Sequence, residues 1–203
     1  MDAEIYWLRS RDMPWGDYGQ ILLNGISAHL PRVNGRLQLE RTAPFVPPIA
    51  FPRRGDVIVT EAVRKGFDES VLGPLPVQQA DLAKVVKLEW LHWDREQPPG
   101  YLPPSADPED YVLTPEHDAS LCSQIGPLWE VAPMTVGLGT YRRVQKRPAN
   151  FHVSIQIKHP VPPVFRVKGV PVVLVREDVG KLLLALTDDG LRLDRVEAEI
   201  SDY

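Results

Sequence analysis

Residues 57–67, VIVTEAVRKGF, and residues 173–183, VLVREDVGKLL, write nearly the same line twice. Identity falls at Val57/Val173, Val59/Val175, Glu61/Glu177, Val63/Val179 and Lys65/Lys181. Each copy opens with a β-branched run, then changes to helical spacing with a glutamate at the change. Valine suits a pleated, half-buried surface, and a carboxylate suits the positive end of a helix dipole. The pattern therefore predicts a strand running directly into a helix, in two places. Continued along the chain, it predicts two strand–helix–strand units. The first covers 56–60, 61–67 and 85–93; the second covers 171–176, 177–190 and 191–200, with Asp189–Gly190 ending the helix. Packing alone accounts for the shared residues, so internal duplication and coincidence both stay open. Two copies fall short of a solenoid.

The remaining strands follow from alternation. Residues 4–9, EIYWLR, form an opening strand, and RLQLE at 36–40 follows an Asn34–Gly35 hairpin signal. In FHVSIQIK, residues 151–158, Phe151, Val153, Ile155 and Ile157 face one way. His152, Ser154, Gln156 and Lys158 face the other, giving one core face and one polar face. Proline is abundant, 21 of 203 residues, and bunches near 44–52, 98–108 and 160–163. Because proline ends helices and is excluded from central strands, these bunches predict long, stiff connections. The expected fold is α+β: a mixed, mainly antiparallel sheet with two related strand–helix–strand units and long Pro-rich loops. Residues 1–203 are expected to form a single domain, possible as two intertwined halves (1–93 and 119–203) joined by an acidic Pro-rich loop, 94–118.

Charge is unevenly laid out. Residues 89–118 hold eight acids and one base, whereas 142–168 hold seven bases and no acid. The two stretches either neutralise each other or form opposite poles that recognise a charged partner. The single cysteine, Cys122, excludes an internal disulfide. No basic start precedes an apolar run and no long apolar stretch occurs, so neither a signal peptide nor a membrane span is expected, and the cytoplasm is the expected compartment.

Chemical motifs are sparse. His117 and Cys122 form a nearby nucleophile–base pair, which would need contact in space and an orienting third group. No H-E-x-x-H or C-x-x-C spacing marks a metal site, and no cofactor is expected. Gly137-Leu-Gly139-Thr-Tyr-Arg142 lacks the third glycine of a dinucleotide fingerprint and is read as a turn. The basic cluster Arg142, Arg143, Lys146 and Arg147 stands in an acidic protein and is read as solvated, so nucleic acid is not an expected partner. Trp90 is assigned to the core face of the 85–93 strand and Trp93 to the opposite face, where tryptophan beside acids suits an interface.

The closing stretch VPVVLVREDVGKLLLALTDDGLRLDRVEAEI, residues 170–200, resembles the final module of a bacterial immunity-protein family from polymorphic toxin systems, the type represented by a myxobacterial immunity domain. The resemblance rests on a strand–helix–strand whose helix carries apolar residues and ends in glycine before an alternating strand. It implies a cytoplasmic, non-catalytic protein that binds and blocks a cognate toxin or effector encoded by an adjacent gene. No catalytic residue is carried over. The partner-binding candidates are Trp93, Asp94, Glu96, Tyr101, Asp107, Glu109 and Asp110 around the acidic loop, and His152, Gln156 and Lys158 on the polar strand face. The alternatives are a secretion-system adaptor or chaperone, and a hydrolase using Cys122 and His117.

Overall fold

The computed structural model describes residues 4–94, 96, 107–145, 150–188 and 190–201. The first stretch carries β1 (Ile5–Ser10), α1 (Asp17–Asn24), β2 (Gln38–Ala43), β3 (Ile49–Ala50), β4 (Ile58–Thr60), α2 (Glu61–Asp68) and β5 (Val77–Lys87). Next come α3 (Asp110–Leu113), α4 (Ala119–Ile125), β6 (Leu128–Val131), β7 (Thr135–Gln145) and β8 (Asn150–Lys158). The chain continues with β9 (Val164–Lys168), β10 (Val170–Arg176), α5 (Glu177–Leu186), β11 (Leu191–Arg195) and β12 (Glu197–Ser201). The fold is α+β, with two curled mixed sheets in place of the single sheet expected. One runs β11-β1-β10-β9-β7-β8-β12, the other β2-β5-β6-β4-β3. The larger sheet curls so far that its end strands, β11 and β12, are neighbours in the chain, separated by Val196 alone.

The repeated line does fold as a strand entering a helix, at β4–α2 and at β10–α5. β10 and β11 are both antiparallel to β1, so they are parallel to each other with β1 between them. β4 and β5 are likewise both antiparallel to β6. The inserted strand comes in each case from the other half of the chain. Val57, Val59, Val63 and Phe67 meet Val173, Val175, Val179 and Leu183 in one buried cluster, joined by Leu8 of β1 and Val131 of β6. The repeated valines thus form a common core. The repeated Glu and Lys form the same i,i+4 ion pair, Glu61–Lys65 at 3.8 Å and Glu177–Lys181 at 2.6 Å.

Further correspondences lie upstream. VPPI at 46–49 and VPPV at 161–164 hold equivalent places. The amide of Thr60 donates to Pro48 O at 3.0 Å and that of Arg176 to Pro163 O at 3.1 Å. Ile49 pairs with Val59 and Val164 with Val175. β2 is parallel to β5 with Leu39 opposite Leu82, and β8 is parallel to β12 with Ile155 opposite Ala198, both residues displaced by 116. Gly25 and Gly137 both have positive φ, 75° and 70°. A Cβ at either would crowd a strand carbonyl, Glu40 O at 2.9 Å or Gln156 O at 2.3 Å, so only glycine fits.

Several local expectations are corrected. The strand expected over 85–93 ends at Lys87, because its partner β2 ends at Ala43; Leu88 N–H bonds Ala43 O and Trp90–His92 winds into a 3-10 turn. Residues 137–142 belong to β7 and are no turn: the missing side chain of Gly139 lets the backbone pass close to Val167 and Val170. Asn34 and Gly35 do make a tight turn with positive φ, 49° and 80°, but it carries a single bridge, Val33 to Arg36, because β2 pairs with β5 instead. α5 stops at Leu186, where the buried Thr187 hydroxyl bonds Leu183 O at 2.7 Å and Asp188, in place of Gly190, takes the positive φ. The closing strand breaks at Val196, whose N–H turns to Ile5 O at 2.9 Å. α3 lies within the stretch expected to be loop.

Candidate functional site

The alternation of β8 places the side chains from His152 to Lys158 as expected, and that of Phe151 lies outside the described residues. Val153, Ile155 and Ile157 are buried beside Trp7, Phe165 and Leu174, while His152, Gln156 and Lys158 are exposed. β7 and β12 extend the polar face. Leu138, Thr140 and Arg142 stand opposite Gln156, Ser154 and His152, and Glu197, Glu199 and Ser201 stand opposite Ser154, Gln156 and Lys158. Cross-strand bonds knit the face: Thr140 to Ser154 through their hydroxyls at 2.8 Å, Gln156 Nε2 to Glu199 Oε2 at 2.9 Å, and His152 Nε2 to Glu197 Oε2 at 3.1 Å. Two adjoining depressions of about 670 and 810 Å³ share Leu138, Gln156 and Glu199. Gly137, Gly139, Lys158, Lys168, Pro160 and Pro162 are among the residues that line them. Leu138 is 56% exposed in the middle of it.

The acidic candidates are placed elsewhere, beside the smaller sheet. Trp93 is not on a strand: it is partly buried, with ring centroids 5.5 Å from Trp15 and 5.7 Å from Tyr111. Trp90, as expected, is buried, and Phe45 and Trp15 flank it at 5.7 and 6.5 Å. This aromatic cluster joins four segments distant in sequence. Trp15 Nε1 donates to Asp94 O, and Asp94 Oδ1 accepts the Glu96 amide at 2.9 Å. Glu109 and Asp110 start α3, where both are half-buried, and Asp107 is exposed. Tyr101 lies outside the described residues, as do Lys146 and Arg147. Glu89 takes its cation from Lys87, at 3.3 Å, within its own strand end.

His117 and Cys122 are brought together, with Nε2 and Sγ 3.9 Å apart. The orientation is wrong for a base. His117 Nδ1 accepts the Val85 amide at 3.0 Å, so the neutral ring carries its proton on Nε2, facing the thiol. A ring in that tautomer offers a donor to sulfur and no lone pair to remove its proton. The neighbouring Asp118 is committed to α4, accepting the Ser120 and Leu121 amides; the Ser120 hydroxyl bond chiefly holds its carboxyl below the usual range. Among the described residues no cluster of His, Cys, Asp and Glu is arranged to hold a metal, and no helix is long and apolar enough to cross a membrane.

Two charged groups escaped the sequence reading. Glu130, on β6, is buried with both carboxylate oxygens 2.7 Å from the Arg32 guanidinium. Arg41, on β2, is fully buried, and its Nη2 donates to Leu23 O at the end of α1, at 3.2 Å. Burial lowers its pKa to about 10. Alternation put Arg41 on the inner face with Leu37 and Leu39, but nothing local marks an arginine as buried. No protein-family model matches the chain, and no curated protein matches it.

Proposed function

We propose that this chain is a non-catalytic binding protein, an immunity protein that holds and blocks a cognate bacterial toxin or effector in the cytoplasm. The observation that carries the reading is the exposed, curved face of β7, β8 and β12, which sets polar groups of both signs and an uncovered leucine on a rigid sheet. Rigid, pre-organised polar surface limits the ordering cost of association, and mixed charge favours discrimination between partners. The exposed acids Asp94, Glu96 and Asp107 form a second candidate contact, suited to a basic cleft. The resemblance of residues 170–200 to the immunity-protein module supports the same reading.

We also infer that the chain is an internal duplication, with halves 1–93 and 119–203 intertwined by exchange of β1 and β6. The shared spacing of 116 residues on paired strands supports this. The test of function is co-expression with the product of the adjacent gene, scored for cell survival and for co-purification. Rescue with a stable complex is expected. A stable complex without rescue would favour a secretion adaptor or chaperone instead. The hydrolase alternative draws on the 3.9 Å contact of His117 and Cys122, and its test is hydrolytic turnover abolished by Cys122→Ala; the tautomer of His117 weighs against it.

A further inference from the structure

The two halves of the chain treat one surface differently. In the smaller sheet, Glu40 pairs with Lys84 and Thr42 with Val86. α1 and α3 pack on β2 there, and Glu40, Thr42 and Val86 are buried. Helix ends meet the polar groups of that face: the Thr42 hydroxyl donates to Leu22 O at 2.7 Å, and Lys84 Nζ donates to Leu113 O. Apolar side chains Leu22, Ile26, Tyr111 and Val112 form the cover. In the larger sheet the matching pairs are Gln156–Glu199 and Lys158–Ser201, and all four residues are exposed. Ile26 matches Leu138, each bridged to the equivalent strand position, yet Ile26 is 3% exposed and Leu138 56%. The strand equivalent to β12 differs too. Val85 of β5 bonds the 117–118 segment through both its backbone groups, at 3.0 Å to His117 Nδ1 and 2.8 Å from Asp118 N–H. β12 ends its sheet.

We propose that the β7–β8–β12 face is a docking site for an amphipathic helix of a partner protein, seated as α1 and α3 are seated on the other sheet. Its apolar side chains cover Leu138, Val136 and the Pro160–Pro162 wall. Its C-terminal carbonyls, the negative end of the helix dipole, approach Lys158 at the place where Thr42 meets Leu22 O in the other half. The proposal rests on the binding function argued above and names the surface that serves it.

The test is titration of the purified chain with the purified product of the adjacent gene, comparing wild type with Leu138→Asp, Gln156→Arg and Val71→Asp. Val71 is fully exposed on the other half and serves as control. The expected result is at least tenfold weaker binding for the two face variants, unchanged binding for the control, and unchanged melting temperature for all three. Tight wild-type binding that neither face variant weakens overturns the docking site and leaves the binding function standing. Absence of wild-type binding overturns both. A wild-type dimer in sedimentation that Leu138→Asp dissociates also overturns it, since the face would then serve a second copy of this chain.

Discussion

Removing Arg32 should strand a buried charge. Glu130 is 1% exposed, and Arg32 supplies a bidentate contact at 2.7 Å to each oxygen, with Gln78 Nε2 adding a bond at 3.1 Å. In Arg32→Met, only Gln78 remains to satisfy the carboxylate. Breaking a buried pair from one side costs roughly 3–5 kcal/mol. Arg32 itself is 35% exposed, which puts the expectation at the lower end, about 3 kcal/mol at pH 7. The pH dependence changes sign. In the wild type, burial pushes the Glu130 carboxyl up, but the hydrogen bonds and charge of Arg32 outweigh it and hold the group below its ordinary value of 4.5. Its contribution is full above that value and is lost as pH falls through the lower folded value. Without Arg32, burial dominates and the folded value rises above 4.5. The variant then regains relative stability on acidification, so the gap between the proteins narrows from pH 7 to pH 4. The double variant Arg32→Met/Glu130→Leu should return to within about 1 kcal/mol of wild type, because the equivalent position on β1 is the apolar Trp7. Urea unfolding at both pH values provides the measurement. A loss under 1 kcal/mol for Arg32→Met, or a gap that widens in acid, would refute the reasoning.

Arg41→Ile should not lower the urea midpoint, because it removes a charge whose burial depresses its pKa to about 10, and the corresponding residue of the other half is Ile157. That penalty is present below about pH 10 and fades as pH rises toward the ordinary arginine value; a clear drop in the midpoint at pH 7 would show that the bond to Leu23 O outweighs it. Gly137→Ala should cost about 2 kcal/mol or more, from positive φ together with the carbonyl of Gln156, and a melting temperature unchanged from wild type would contradict the close approach. A protease site placed between Pro99 and Gly100 and then cut should leave both fragments in one peak on gel filtration, since each sheet contains a strand from the other fragment; separation in native buffer would count against the intertwined halves.

The strands legible in the sequence were those whose alternation is apolar against polar. β8 is of this kind, whereas β10 is marked by its β-branched run and β1 by its aromatic and β-branched content. β7 was not, because Gly137 and Gly139 sit where apolar residues would have marked a strand, and glycine reads as a turn until its neighbours are known. The strand expected over 85–93 failed for a related reason: alternation continues past Lys87, but the ladder depends on a partner that ends at Ala43. The echo predicted both helix starts, yet the position of β1 between β10 and β11 has no local signature at all. The second pair of matching segments, at 46–49 and 161–164, was visible as bunched proline but not as a repeat. The polar residues of β8 were identified from sequence alone. That they lie on a face whose counterpart is covered needed the topology, and the partners of the buried Glu130 and Arg41 lie 98 and 18 residues away.

The placement of β1 also has a consequence for synthesis. Ile5, Trp7 and Leu8 are made long before the strands that flank them, β10 and β11, which begin at residues 170 and 191. At typical elongation rates of about 5–20 residues per second, the amino-terminal segment waits roughly ten seconds or more without its neighbours. Throughout that interval a hydrophobic strand with two bare edges is exposed to every other nascent chain. The larger sheet therefore cannot assemble until residues 170–195 have been made, and yield in the cell should depend on holdase chaperones more steeply than the stability of the finished protein suggests.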